Sequence, residues 1–469
     1  MILKNVKIYE NGEIRKGTLL IQNEIIDSIF FEPSKNNLNN LRDKNDDDIE
    51  IDCSQRLVLP GIIDIHSHLR DMGQNEKETF RTGTKAAAFS GITTAFNMPN
   101  TIPPATTSDR VKTWMNKAKN NIYIDIGFIA GVPEGINEEE IKRIIELGVI
   151  GFKIYPLKPL TGNDWTNQSN IQKLIKLSSK FQVPIFIHPD WPSSKTYKER
   201  LLDINIQKGN PLLKIHNRLH PNKHEAKFIR FILDNCYEVI KKCKLTPERY
   251  PIIHFCHISC KESIKELSDF YINFHNYGSI ITFEVTPHHI LLNHNINLEN
   301  PGYGKVLPPL RHKLHSTFLF DQLKKGAIKY IGTDHAPHTI EEKALPFFEA
   351  PSGFPGFETY PLLLLDKVFQ NRLQLKNFIE AATENPAKRF KLKLKGFIKE
   401  NYFADLIVVE KSEDHPIDSQ KFRSKAKYTP FENSDFSSRL TSAKIWKVFL
   451  RGKEVNIENG HPTGRIIRM

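Results

Sequence analysis

At 469 residues the chain is long enough for a large core and more than one domain, since single cores stop growing near about 250–300 residues. Its hydrophobic content of 39% and charged content of 26% are those of a soluble globular protein, and no apolar run approaches the roughly 18–20 residues that would span a bilayer. The formal charge of +12 comes from Lys and Arg spread along the chain without an aromatic-basic RNA motif, which speaks against a nucleic-acid surface and for attraction of an anionic small molecule.

The N-terminal stretch "MILKNVKIYENGEIRKGTLLIQNEII" lacks the apolar core of a signal peptide and alternates like strands joined at an "NG" turn. Residues 35–50, "KNNLNNLRDKNDDDIE", read as a polar surface loop between strands. Eight β-rich runs follow: "LVLPGIIDIH", "GITTAFNMP", "IYIDIGFIAG", "VIGFKIYP", "VPIFIHP", "YPIIHFCHIS", "SIITFEVTPHH" and "KYIGTDHAPH". Between them, stretches such as "EKETFRTGTKAAAFSG" and "NEEEIKRIIELG" read as helices ending at Gly. Strands apolar along most of their length and alternating with helices predict a parallel sheet buried on both faces, and eight units predict a closed (β/α)8 TIM barrel over residues 57–394. Residues 1–56 and 395–469, with alternating runs such as "NYFADLIVVE", predict a small β-sandwich-like domain built from both termini. Five cysteines (Cys53, Cys236, Cys243, Cys256 and Cys260) form no CxxC pair, so neither a disulfide framework nor a thiolate zinc site is indicated and a reducing, cytoplasmic setting is expected.

Each strand run is apolar first and polar at its C-terminal end, where a (β/α)8 barrel gathers its active site. Those ends carry His66 and His68, Asn97 and Asn100, Lys153, His188, His257, Glu284 and His288, and Asp334, His335 and His338. His66 and His68 are two apart on a strand, so both leave from one face. Together with His188, His257 and Asp334 they suit a borderline ion such as zinc, and they are too many for one catalytic tetrahedral centre with an open position. Two metals a few ångströms apart would use them all and would need an anion between their charges. Lys153, inside the apolar run "GFKIYP", could supply it as a carbamate, because low-dielectric surroundings favour the neutral amine that captures carbon dioxide. A substrate-anion binder or an exposed lysine are the other readings of Lys153. His254, three residues from His257, would face the opposite way. His288, His289 and His335 read as supporting or structural, His216, His220 and His224 as exposed, and Cys256 and Cys260 as packed thiols.

The stretches "DIHSHLRD", "FNMPNTIPP", "GFKIYP", "EVTPHH", "LPPLR", "GTDHAPH" and "SGFPGFET" resemble, in order, the motifs of dihydroorotases in the amidohydrolase superfamily. The resemblance implies that His66, His68 and Asp334 hold one zinc ion, that His188 and His257 hold a second, and that carbamylated Lys153 bridges them. It implies Asp334 as general acid/base in the reversible hydrolysis of (S)-dihydroorotate to N-carbamoyl-L-aspartate, a step of de novo pyrimidine synthesis, by a metal-activated hydroxide. Arg70, Asn100 and His338, beside His68, would bind the substrate carboxylate, and Ser352 and Gly353 would offer backbone contacts to the ring. Glu284 matches a position that serves an additional metal in some relatives.

Three departures stand out: Leu307 replaces the usual Asn before "PPLR", Asp71 and Met72 follow Arg70, and "HPDW" replaces an acidic "HAED" form. Similar proteins also imply a homodimer and association with aspartate carbamoyltransferase, but no nucleic-acid or membrane partner. The alternatives are another cyclic amidohydrolase of hydantoinase, dihydropyrimidinase or allantoinase type, and a catalytically silent partner of aspartate carbamoyltransferase. The segment 156–168 after Lys153 is the expected mobile loop over the site.

Overall fold

The computed structural model describes residues 1–10, 12–32, 49–273, 281–432 and 440–469. Asn11 of the expected turn and all but the end of the expected 35–50 loop lie outside the described residues. The N-terminal part forms β1 (Ile2–Glu10), β2 (Glu13–Gln22), β3 (Ile25–Phe31), β4 (Glu50–Asp52) and β5 (Leu57–Pro60). The run "LVLPGIIDIH", expected as one barrel strand, is divided at Gly61: its second half is β6 (Ile62–Ser67), and the two halves serve different sheets. Only glycine fits at the crossing, because a Cβ on Gly61 would stand 2.2 Å from Thr93 Oγ1.

From β6 the parallel strands pair in chain order with β7 (Ile92–Asn97), β8 (Asp125–Gly131), β9 (Gly151–Ile154), β10 (Pro184–Ile187), β11 (Ile252–Phe255) and β12 (Ile281–Phe283). Every residue of β6, β7 and β8 is buried, as a parallel sheet covered on both faces requires. The helices between strands supply that cover. In the helix Phe80–Phe89, the Thr79 hydroxyl accepts from the Thr82 N–H at the start, and Phe80, Ala86, Ala87 and Ala88 are buried.

The eighth run closes the ring by single bridges instead of a full ladder. Ile331 bridges Val285 and His335 bridges Ser67, both in parallel sense, with Gly332 N–H donating to Val285 O (3.1 Å) and His68 N–H to His335 O (2.7 Å). Between the bridges, the N–H and hydroxyl of Thr333 donate to the Asp64 carboxylate at 2.7 and 2.6 Å. A buried side chain from β6 thus replaces ladder bonds, and the TIM-barrel architecture is retained.

The remaining strands are β13 (Leu406–Pro416), β14 (Leu440–Leu450), β15 (Lys453–Glu454) and β16 (Ile466–Ile467). The first three join the N-terminal strands in one mixed sheet, ordered β15-β14-β13-β5-β1-β2-β3 with β4 on β1. Its own core includes Leu3, Val6, Ile8, Leu19, Val58, Leu406, Val408 and Phe449. Each such side chain contributes about 1.5–3 kcal/mol on full burial. The C-terminal part also reaches the barrel. β16 pairs with β8, and Ile417, Phe422, Tyr428 and Phe431 pack with Leu292, Val306, Leu310 and Phe354 above the strand ends.

Candidate active site

His66 lies on β6 and His68 just beyond it, Lys153 lies on β9, and His188, His257 and Asp334 follow β10, β11 and the last bridged run. All six are buried. Three of the side chains at this end leave from left-handed backbone: Arg70 (φ 56°), His257 (φ 38°) and Asp334 (φ 49°). Non-glycine residues held there cost about 1–3 kcal/mol each, and such strain concentrates at functional sites.

The imidazoles are aimed by partners. His66 Nδ1 is taken by Glu284 Oε1, which leaves Nε2 facing Asp334 Oδ1 at 3.4 Å. His68 Nδ1 is taken by Asn100 Oδ1 at 2.5 Å, which leaves Nε2 facing the same Asp334 oxygen at 3.1 Å. The other Glu284 oxygen meets His254 Nε2 at 3.1 Å, and Oε1 also accepts the His257 N–H at 3.3 Å. Glu284 is therefore an orienting carboxylate for the histidines. His254, bonded at its other nitrogen to Thr282, reaches the same Glu284 that takes His66 and the His257 N–H, so the expectation that it faces the opposite way from His257 does not hold: His257 lies past β11 in left-handed backbone, where strand alternation no longer sets its direction. Burial presses the Asp334 carboxyl upward, but His66 and His68 hold it well below the usual carboxylate range.

On the other side, His188 Nδ1 and His257 Nε2 converge at 2.9 Å. Burial pushes both imidazoles well below their ordinary range, with Lys153 adding to the effect. Lys153 Nζ is buried with no hydrogen-bond partner among the described residues, and it acts electrostatically on His66, His188 and His257. His188 Nε2, His257 Nδ1 and His288 Nε2 are likewise without a partner there. Buried polar atoms left this way call for a missing partner. The donor set fits divalent cations: metal–ligand bonds of about 2.0–2.1 Å around a tetrahedral ion set ligand–ligand edges of about 3.3 Å, close to the 3.1 and 3.4 Å contacts of Asp334. His66, His68 and Asp334 form one potential metal-holding group, and His66, Cys256 and Glu284 a second.

Arg70 and His338 meet at the edge of this cluster, Nη2 to Nε2 at 3.2 Å, while Arg70 Nε donates to Pro337 O. His338 Nε2 also lies 3.2 Å from Ser352 O, and a Cβ on Gly353 would stand 2.6 Å from Ala336 O. Arg70, His338, Ser352 and Gly353 are thus brought together, while Asn100 contacts His68. Lys77, which sequence reasoning passed over, joins them: its Nζ lies 3.2 Å from His338 Nδ1 and 2.8 Å from Glu342. Its only signal was position, seven residues beyond Arg70.

Other expectations change. His216 is buried, with Nε2 on Val306 O at 2.8 Å, and His220 and His224 are half-buried, His220 lying 3.3 Å from Asp190. Their segment is amphipathic: Lys208, Lys223 and Lys227 stay exposed while His216 turns inward, so the lysine content described one face only. Cys256 is a packed thiol as expected, but it stands against His66 and Glu284, with which it forms a group that could hold a metal. The 156–168 segment is anchored: Trp165 is in the core, and Asn163 Nδ2 donates to Pro133 O at 2.8 Å. Leu307 is half-buried.

Residues 57–455 match the Amidohydrolase family. The chain belongs to that family. This amidohydrolase is similar to the dihydroorotase of Methanosphaera stadtmanae, 33% identical over 439 residues, covering 93% of this chain and 92% of that one. It is also similar to the dihydroorotase of Methanosarcina acetivorans, 32% identical over 439 residues, covering 92% and 88%. Among solved structures it is similar to the L-hydantoinase (dihydropyrimidinase) of Arthrobacter aurescens, with a TM-score of 0.84 at 23% identity, covering 100% and 99% of the two chains. The dihydropyrimidinase of Brevibacillus agri gives a TM-score of 0.82 at 21% identity, covering 99% and 98%. At those identities the structures show a shared fold. The family and the relatives similar in sequence support a cyclic amidohydrolase with a small-molecule substrate. Among the described residues, no helix is long and apolar enough to cross a membrane.

Proposed function

We propose that this cyclic amidohydrolase is a dihydroorotase, interconverting (S)-dihydroorotate and N-carbamoyl-L-aspartate. The observation that carries this reading is the contact of Arg70 with His338 beside the histidine–aspartate cluster. A guanidinium recognises a carboxylate by paired, charge-assisted hydrogen bonds. A ring carboxylate is what separates dihydroorotate from hydantoin and from dihydropyrimidines. Relatives bearing the dihydroorotase name over 92–93% of the chain support the same substrate.

In this reading His66, His68 and Asp334 would hold one zinc ion, His188 and His257 a second, and Lys153 as a carbamate would join them. Bound there, the ions would supply a water activated at neutral pH and a polarised amide carbonyl. The chain's own groups do the rest. Arg70, Asn100 and His338 hold the carboxylate, and Ser352 and Gly353 border the ring. Asp334 takes the proton from the attacking water and delivers it to the ring nitrogen as the C–N bond breaks, general base first and general acid second. Glu284 and Asn100 fix which nitrogen of each histidine faces inward.

The test is a substrate panel of dihydroorotate, N-carbamoyl-L-aspartate, dihydrouracil and hydantoin, with wild type and Arg70→Ala. Turnover of the two anionic substrates, lost in the variant, is expected. Preference of the wild type for the uncharged rings would replace this reading with a hydantoinase one. No turnover of any of the four would leave the silent-partner reading.

A further inference from the structure

Two lysines near the site are buried without a carboxylate. Lys343 is fully buried and Lys305 is 6% exposed, and neither forms an ion pair among the described residues. Their ammonium groups are given over to backbone carbonyls. Lys343 Nζ donates to Pro351 O (2.9 Å), Gly353 O (2.8 Å) and Lys305 O (3.3 Å). Lys305 Nζ donates to Phe347 O (2.7 Å), Phe348 O (3.2 Å) and Ala350 O (2.5 Å).

Six carbonyls therefore converge on two cations, and five of the six belong to residues 347–353. That segment has almost no regular structure of its own, so the lysines replace the ladder or helix bonds that would otherwise fix it. It also carries Ser352 and Gly353, and Ser352 O contacts His338 Nε2 at 3.2 Å. Gly353 N–H closes the arrangement by donating to Lys305 O at 2.9 Å.

The choice of lysine has a cost. Neutral donors could hold carbonyls without placing charge in the interior, whereas a buried ammonium with no counter-ion is expensive. Burial pushes Lys343 down to about 7, with Lys305 adding repulsion and the Glu342 carboxylate opposing it, and burial pushes Lys305 down to about 8. Arg70, Lys77 and Lys343 all press on His338 as positive charges, and Glu342 is the carboxylate that answers Lys77. Around His338, three cations thus face one carboxylate, Glu342.

We propose that Lys305 and Lys343 are positioning residues for an anionic substrate: they hold the 347–353 segment against His338, and the substrate carboxylate adds counter-charge to that of Glu342. This deepens the dihydroorotase reading and rests on it for the identity of the anion. The segment's dependence on the lysines does not rest on it.

The experiment compares wild type, Lys343→Met, Lys343→Arg and Lys305→Met, with zinc content and thermal stability measured on each. On dihydroorotate, Lys343→Met should raise KM at least about 10-fold, the loss expected for one charged interaction. kcat should fall by less than KM rises, and Lys343→Arg should recover part of the loss. Brief chymotrypsin treatment should cut Lys343→Met and Lys305→Met after Phe347 or Phe348 faster than wild type. An unchanged KM for dihydroorotate in both Met variants would overturn the counter-charge. If wild type does not turn over dihydroorotate, the substrate reading fails by itself. Proteolysis then decides the remainder, and wild-type cleavage rates in both Met variants would overturn the positioning role.

Discussion

His188 Nδ1 lies 2.9 Å from His257 Nε2: β10 and β11 pair in parallel with Ile187 opposite Phe255, and His188, the first residue past β10, meets His257, the second past β11, where the left-handed backbone of His257 (φ 38°) turns the chain. Burial keeps both imidazoles uncharged at neutral pH, the form a metal requires. His257→Ala should lower bound zinc from two ions per chain toward one, measured by elemental analysis after dialysis. Unchanged zinc content would remove His257 from the centre.

Lys153→Ala should abolish turnover and lower zinc content. Activity should fall by more than the about 10–100-fold typical of losing an outer partner of a metal ligand. Short-chain carboxylates, standing in for the carbamate, should restore part of the activity. A variant that retains full zinc and full turnover would assign Lys153 a packing role only.

Glu284→Gln keeps the shape of the side chain but removes the charge shared by His66 and His254. Expected losses are about 10–100-fold in zinc affinity or activity, together with about 1–3 kcal/mol of stability from imperfectly satisfied buried groups. Zinc titration followed by urea unfolding of the apo and loaded forms separates the two effects. Wild-type zinc affinity would mean that His66 is oriented by packing alone.

Glu358 should make stability pH-dependent at a place apart from the proposed metal ligands. Burial, with Glu78 nearby, raises it from 4.5 to about 7 although it accepts the N–H groups of Arg423 and Ser424. The folded state then binds the proton more tightly than the unfolded state. Its contribution is complete below pH 4.5 and is lost as pH rises through 7. Glu358→Gln, which cannot ionise, should flatten the decline in unfolding free energy between pH 5 and 8 by on the order of 2 kcal/mol. Parallel pH profiles for wild type and variant in urea unfolding would exclude this group as the source.

Local sequence was sufficient wherever a side chain's direction depends on its own strand. The two-residue spacing of His66 and His68 dictates a common face, whereas the three-residue spacing of His254 and His257 misleads, because His257 lies past its strand and both residues meet Glu284. Apolar runs ending in polar residues gave the barrel and the end at which its site lies. The same reasoning misjudged His216, because a lysine-rich segment keeps its lysines in solvent while its other face, with His216, packs on Val306.

What the sequence by itself determined was therefore the set of strands, the face from which His66 and His68 leave, and the family to which those motifs belong. Only the tertiary structure decided that Gly61 passes the chain from one sheet to another, that Asp64 stands in for part of the eighth ladder, and that Lys343 and Lys305 grip one segment. His66 meets Glu284 across 218 positions of sequence, and Arg70 meets His338 across 268. Local propensity carries no information about such separations. They are fixed when the parallel ring closes and the strand ends, whatever their order in the chain, become neighbours.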